Sequence, residues 1–378
     1  MKVSYKICKR CVMDTSDNDI SFDESGICNH CKRALTILDS EPFCLPADKK
    51  KIRLDNLVKE IKEKGKDKPY DCIIGLSGGV DSTYVAYKVR ELGLRPLAIH
   101  LDNGWNSELS VMNIENICKK LDIDLQTCVV DWEEFKDIQL AFLKASTPDS
   151  EIITDNLIFA ALWRIAQKKG IKYILAGYNY SSESIMVSNW SQGYFDKKYI
   201  ESVHEKFGTK KLKSINPISQ YEIALIRKLW KIKLVSFLDY VDYNKNDAKA
   251  FIMKELDWRD YGRKHCESNY TRIYQEYILP TKFGFDKRRA HLSSLIMAGQ
   301  ISRDEALKQL EEPLYTSQAK IEEDIDYLIN KFGITEDEFK EIMDLPVKSY
   351  DDYPNMNNTG DLTKLIKLYQ RMRRLFVK

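Results

Sequence analysis

The feature that most constrains this chain is a sharp break in an apolar run. Residues 70–76, Tyr-Asp-Cys-Ile-Ile-Gly-Leu, read as a buried strand, and they give way at once to Ser77-Gly-Gly-Val-Asp-Ser82. A helix-like stretch follows over residues 80–92. A strand that turns through two glycines into a helix lets its backbone approach a ligand closely. The helix start presents unpaired N–H groups and partial positive charge, which suits phosphate. Ser77 and Ser82 can add hydroxyl donors, and Asp81 can help to hold Mg²⁺. The string is neither a Walker A loop nor the G-x-G-x-x-G of dinucleotide-binding folds. A plain strand-to-helix turn also uses glycine for geometry, so the glycines by themselves leave both readings open. The full Ser-Gly-Gly-Val-Asp-Ser string is more specific.

The pattern around this loop alternates. Strand-like runs at 70–76, 94–101, 125–130 and 173–177 are separated by helix-like stretches at 80–92, 107–121 and 156–168, and Asp131 is placed to cap another. An amphipathic stretch at 52–64 precedes them. Strands alternating with helices predict an α/β fold with a mostly parallel sheet covered on both faces. Beyond about residue 245 strand signals fade, while Ser302-Arg-Asp-Glu305 and Thr335-Glu-Asp-Glu338 have the form of capping boxes. The expected organisation is a small module at 1–45, the α/β domain at 46–245 and a helical C-terminal region at 246–378. At 378 residues the chain is long enough for a self-sufficient core.

Nine cysteines cannot all pair within one chain, and five of them fall in the first 44 residues. Cys8-Lys-Arg-Cys11 and Cys28-Asn-His-Cys31 form C-x2-C-x16-C-x2-C, a spacing that lets two knuckles present four thiolates to one tetrahedral Zn²⁺. An iron–sulfur cluster or four free thiols are the alternatives. Gly26 suits the tight turn before the second knuckle, and His30 is expected to be a bystander. A closed site of four cysteines stabilises a fold rather than doing chemistry. Cys72, Cys118, Cys128 and Cys266 are expected to pack as small buried groups.

Lys and Arg number 59 against 57 Asp and Glu, a net charge of +2 that disfavours a nucleic-acid coat protein. Nothing approaches the roughly 18 apolar residues of a membrane span. Charge at residues 1–10 stands where a signal peptide needs an apolar stretch, so a cytoplasmic protein is expected, with no membrane partner.

The loop string resembles the signature of the PP-loop ATPases, or ATP pyrophosphatases, whose domain is of the HUP-like, adenine nucleotide alpha hydrolase-like kind. The resemblance covers residues 68–190. Members cleave ATP between the α- and β-phosphates and adenylate a carbonyl or amide oxygen; a nitrogen or sulfur nucleophile then displaces AMP. The resemblance implies that Ser77, Gly78, Gly79, Val80, Asp81 and Ser82 hold the departing pyrophosphate with Mg²⁺. It also implies that His100 and Leu101, at the end of the second strand, lie at the adenine of ATP, and that Gly177 lies beside the nucleotide. The chain departs from many relatives in reading Gly177-Tyr-Asn-Tyr180 where they have a Gly-His-Asn type string.

A cysteine module, a PP-loop domain and a helical tail together resemble a narrower family, the N-acetyl sugar amidotransferases of bacterial surface-glycan pathways. The resemblance runs from Cys8-Lys-Arg-Cys-Val-Met-Asp-Thr15 through Trp258-Arg-Asp-Tyr-Gly-Arg-Lys-His265 to the segment 280–289. It implies conversion of an acetamido group into an acetamidino group on a sugar of the pseudaminic-acid type or a related diacetamido sugar, for lipopolysaccharide or flagellin glycans. It also implies ammonia from a separate glutaminase subunit, with glutaminase and cyclase partners related to those of histidine biosynthesis. The chain has no evident glutaminase nucleophile of its own: Lys2 holds the second position and no cysteine lies in a Gly-x-Cys-x-Gly context. Charge developing on phosphate needs cations, and Arg259, Arg263, Lys264, Lys282, Lys287, Arg288 and Arg289 are candidates, unless they merely line exposed helix faces. Lys264 and Arg289, with Asp81, are the expected catalytic residues. The rival reading is a tRNA thiolase, disfavoured by charge and by the lack of a sulfur-carrying cysteine between Cys128 and Cys266. A non-enzymatic nucleotide-sensing zinc module is the third.

Overall fold

The structure, a computed structural model, describes residues 4–262 and 266–359. Its centre is a five-stranded sheet made of β1 (Cys72–Gly75), β2 (Pro96–Asp102), β3 (Asp124–Val129), β4 (Tyr173–Ala176) and β5 (Lys233–Ser236), in the order β3-β2-β1-β4-β5. Every pairing is parallel, with Ile73 opposite Leu97 on one side and Ile174 on the other. This is the α/β parallel-sheet fold that the alternating pattern predicts, with a helical C-terminal region. The chain winds outward from β1 in one direction, then returns to build β4 and β5 on the other side. Beyond the carboxyl ends of β1 and β4 the connections therefore diverge, and a crevice opens there for a ligand.

The helices that precede or flank the strands include α1 (Asn29–Leu38), α2 (Ala47–Gly65), α3 (Val80–Glu91), α4 (Glu108–Leu121), α5 (Trp132–Ala145) and α6 (Ile152–Lys169). Both sheet faces are covered, which is why the central strands are apolar throughout rather than alternating. Ile74 and Leu175 pack with Val58, Val85 and Ile117 on one face; Ile73 and Ile174 pack with Leu162, Trp163 and Ile226 on the other.

The fifth strand is not legible in the sequence. Lys233-Leu-Val-Ser236 is four residues long, sits at the sheet edge and begins with an exposed lysine, so it carries no apolar run. The C-terminal helices include Lys245–Glu255, Arg288–Met297, Arg303–Glu311, Gln318–Phe332 and Glu336–Asp344. Ser302 with Glu305 and Thr335 with Glu338 form the two reciprocal capping boxes that the sequence predicts. No described helix is long and apolar enough to cross a membrane.

Asp131 caps α5 by accepting the Glu134 N–H at 3.0 Å. Asp131→Ala should cost about 1 kcal/mol of stability in a denaturant titration. Nucleotide binding should not change, because the cap lies outside the crevice.

Candidate functional site

The turn after β1 is shaped by a backbone that only glycine tolerates. Gly78 has φ +80°, and a Cβ there would meet the Ser110 carbonyl oxygen at 2.7 Å. Helix α3 then starts at Val80 with Gly79 at its cap position, so the cap residue has no side chain to bond the first turn. Its N–H groups and the positive end of the helix dipole are left for a ligand. The hydroxyls of Ser77 and Ser82 lie 3.2 Å apart, and Ser82 Oγ also accepts the Ser77 N–H at 3.3 Å. Gly177, past the end of β4, lies against the loop: a Cβ there would sit 3.1 Å from Ser82 N. The loop and Gly177 thus come together as the sequence predicts.

The far side of the loop is built by the region that follows the sheet. Trp258 donates its indole N–H to the Gly78 carbonyl at 2.7 Å. Its neighbour Arg259 is fixed through its backbone, which exchanges two hydrogen bonds of 2.9 Å with Asn113. Tyr261 Oη and Glu267 Oε1 stand 3.2 and 3.3 Å from where a Gly79 Cβ would be. Ser107 N and Asn269 N bond to the Glu267 and Trp105 carbonyls at 2.9 Å, tying this segment to the loop after β2. Asp81 accepts from the Tyr243 hydroxyl and has Lys245 Nζ 3.8 Å away. Burial above all, with Asp81 beside it, holds the Tyr243 phenol protonated, far above its ordinary range. Lys245 is therefore a cation at the phosphate loop that sequence reasoning did not find. It opens a helix capped by Asn244, and no spacing rule connects residue 245 with residue 81.

At the end of β2, His100 Nδ1 bonds to the Leu76 carbonyl at 3.0 Å, and its Nε2 lies 3.1 Å from the Asn106 amide nitrogen. The two bonds fix the Nδ1–H tautomer, and burial keeps the ring neutral by lowering its pKa. A cavity of about 570 Å³ opens beside it between α4 and β3, lined by His100, Asp102, Asn106, Val111, Cys118 and Leu125. Leu101 alternates to the other side of the strand and packs into the core next to Trp105. Burial pushes the Cys118 thiol up to about 11, so it is a poor thiolate. Cys72 is fully buried in β1.

The basic residues expected at the loop separate in the structure. Lys282 Nζ donates to the carbonyls of Ile342, Met343 and Leu345 at 2.7–2.9 Å, capping a helix end. Arg288 pairs with Asp286 at 2.8 Å. Arg289, expected beside the phosphates, is instead held at the cysteine module, with Nε 2.9 Å from Asp14 Oδ2 and an η-nitrogen donating to Val12 O at 2.8 Å. The cause is the buried Asp14, which needs a cation. Arg259 is exposed, and Lys287 is half-buried near Asp149 and Asp155, whose carboxyl pKa values it lowers against a larger upward push from burial. Arg263 and Lys264 lie outside the described residues.

The cysteine quartet is assembled as its spacing predicts. Cys8, Cys11, Cys28 and Cys31 are buried, with their Sγ atoms all within 4.8 Å of one another. Cys8–Cys31 and Cys11–Cys28 are 3.8 and 3.7 Å apart. A tetrahedral zinc with bonds of about 2.3 Å needs sulfur–sulfur edges of about 3.8 Å. The N–H groups of Arg10, Cys11 and Cys28 point at Cys8 Sγ from 3.3–3.5 Å, as expected around a thiolate. Hydrogen bonding to the neighbouring sulfurs, Cys11 first, holds the Cys28 and Cys31 thiols up, and a bound dication would favour their thiolates instead. His30 is turned away into a 2.6 Å contact with Asp17. The residues present are compatible with zinc.

Two family models match the chain. Residues 52–196 match NAD synthase, and residues 267–373 match the "LPS biosynthesis protein WbpG-like, C-terminal domain". The chain carries a PP-loop ATPase domain. That family implies an enzyme that uses ATP with Mg²⁺, and the WbpG-like match supports a glycan-biosynthesis or other PP-loop enzyme. An uncharacterized protein of Methanocaldococcus jannaschii is 23% identical over 81% of this chain and 93% of its own length. A tRNA-specific 2-thiouridylase of Fusobacterium nucleatum is 25% identical over 53% of this chain, which spans 60% of that protein. Among solved structures, the NH3-dependent NAD synthetase of Campylobacter jejuni aligns with 71% of this chain and 99% of its own at 17% identity, with a TM-score of 0.30, too loose to bear on function.

Two measurements test the surroundings of the PP-loop site. Metal analysis should find one tightly held Zn²⁺ per chain, and Cys28→Ser should lower both metal content and melting temperature. Asp239 accepts the Tyr180 N–H at 2.8 Å behind Gly177, and burial pushes its carboxyl up from 3.8 to about 6. The folded chain therefore holds this proton more tightly than the unfolded one. The group's contribution is fully present below its unfolded pKa and is lost as pH rises through about 6. Asp239→Asn should accordingly stabilise the protein by about 1 kcal/mol at pH 8 and by little at pH 4, read as melting temperature against pH.

Proposed function

We propose that this protein is an ATP-dependent N-acetyl sugar amidotransferase that converts an acetamido group of a bacterial surface-glycan sugar into an acetamidino group. The observation that carries the proposal is the junction at the phosphate loop. The WbpG-like match begins at residue 267, and Glu267 stands against Gly79 of the PP-loop. The part of the chain that resembles glycan enzymes thus forms one wall of the ATP site.

An amide is a poor electrophile because its nitrogen lone pair feeds the carbonyl. In the proposed reaction the amide oxygen attacks the α-phosphorus of ATP, the α–β bond breaks, and pyrophosphate leaves into the turn at residues 77–82. Helix α3 and Lys245 would oppose the charge that develops there, and Asp81 would hold Mg²⁺. Ammonia then attacks the imidate carbon, AMP departs with the former amide oxygen, and one proton is lost to leave the amidine. The adenine is assigned to the end of β2, near His100 and Leu101. The substrate would be a pseudaminic-acid type or related diacetamido sugar. Ammonia would come from a separate glutaminase subunit with a cyclase-like partner, both related to those of histidine biosynthesis.

Cys266 favours a second reading, PP-loop thiolation of tRNA, because it adjoins Glu267, whose carboxylate stands at Gly79 of the loop. The similarity to a 2-thiouridylase points the same way.

Incubation with ATP, ammonium and candidate acetamido sugars should release AMP and pyrophosphate and give a product 1 Da lighter that binds a cation exchanger, since amidines are strong bases. Glutamine alone should not support turnover. Asp81→Asn should lower kcat at least about a hundredfold without unfolding the chain. Release of ADP and phosphate would refute the ATP chemistry. A thiolated tRNA product that is lost in Cys266→Ala would transfer the assignment to the second reading.

A further inference from the structure

The helix Arg288–Met297 lies between two parts of the molecule that are far apart in sequence. On one side it holds the first cysteine knuckle. Ser293 Oγ accepts the Val12 N–H at 3.2 Å, and Arg289 binds Asp14 and the Val12 carbonyl. On the other side it packs along the short helix Tyr180–Glu183, which follows Gly177. There Ser294 Oγ, completely buried, accepts the Ile185 N–H at 3.0 Å while donating to its own helix at Ala290 O, 2.9 Å away. Two adjacent serines thus bond to two different neighbours.

The second knuckle reaches the same segment independently. Helix α1, which begins at Cys28 and carries Cys31, sends Arg33 to the Met186 carbonyl at 2.9 Å. Asp19, between the knuckles, accepts from Asn189. Trp190 closes the segment by stacking on Phe285 at 4.2 Å. At its other end this same stretch begins with Gly177 against Ser82 and with Tyr180 N on Asp239. Residues 177–190 therefore run from the phosphate loop to the cysteine site as one wall of the crevice.

We infer that the helix Arg288–Met297 is the strut by which the cysteine module holds that wall in place, with Arg289 and Ser294 as its positioning residues. Four cysteines closed on a metal make the knuckles rigid, and rigidity is passed on only through bonds such as these. The inference does not depend on which group the enzyme transfers.

Amide hydrogen exchange on the metal-loaded, full-length protein tests it. Ser294→Ala leaves the buried Ile185 N–H without an acceptor, and exchange over residues 185–190 should rise about tenfold. Arg289→Met touches only the cysteine module, yet it should speed exchange in the same peptide, with the β1 and β2 peptides unchanged. In both variants the Kd of a non-hydrolysable ATP analogue should rise severalfold while zinc content stays at one per chain. Unchanged exchange over residues 185–190 in either variant would overturn the inference. So would a faster exchange after Arg289→Met that is confined to residues 8–31. A uniform rise across all strands would overturn it too, because the helix would then support the whole fold and not one wall.

Discussion

The site depends on one backbone geometry, the left-handed turn at Gly78 that brings α3 in with its first turn uncapped. An uncapped helix start in a protein interior is costly unless something satisfies its N–H groups. Here the Tyr261 hydroxyl takes the Val80 N–H, and the remaining N–H groups of the turn are available to a ligand. Ser110 and Ile114 leave no room for a side chain at residue 78, and the backbone at Asp81 and Ser82 leaves little at residue 177. Trp258 fixes the Gly78 carbonyl from above. The small residues of the loop are thus required by closeness on three sides, and the phosphate site is what remains when those contacts are made.

The parts of this arrangement that were legible in the sequence are the local ones. Asp131, Ser302 and Thr335 announce helix starts because a cap acts over three residues. The four cysteines announce their cluster because two short knuckles fix the spacing within each pair, and residues 77–82 announce the loop because the strand, turn and helix are contiguous. Lys245 and Tyr243 were not legible, because their partner Asp81 is more than 160 residues away in the chain. A still longer separation hides the partner of Arg289. Its charge is apparent in sequence, but its pairing with Asp14 is decided by tertiary packing, and a phosphate is only one of the anions that an arginine can meet.

The helical C-terminal region is consequently more than a tail on the nucleotide-binding domain. Residues 258–262 and 266–269 cover the phosphate loop and reach the end of β2, while Arg289, Ser293 and Arg303 hold the knuckle at residues 8–14. The cysteine module also contacts the segment after β4. Around the crevice, therefore, the three parts of the chain meet, each bonded to the other two. Several polar contacts of the cysteine module use backbone groups on one side, as in Arg303 on the Cys8 and Cys11 carbonyls and Arg33 on the Met186 carbonyl. Such contacts specify position without asking much of the partner's side chain.

The bond from Trp258 to Gly78 spans 180 residues, and that separation has a consequence in time. A ribosome adding about 5–20 residues per second needs roughly 10–35 seconds to pass from the loop to its cover. Through that interval the emerging α/β sheet can fold with its phosphate turn open and without Tyr243, Lys245 or Glu267 in place. Until then the turn lacks the indole that holds the Gly78 carbonyl and the lysine beside Asp81, and its final shape waits on chain that is still to be made.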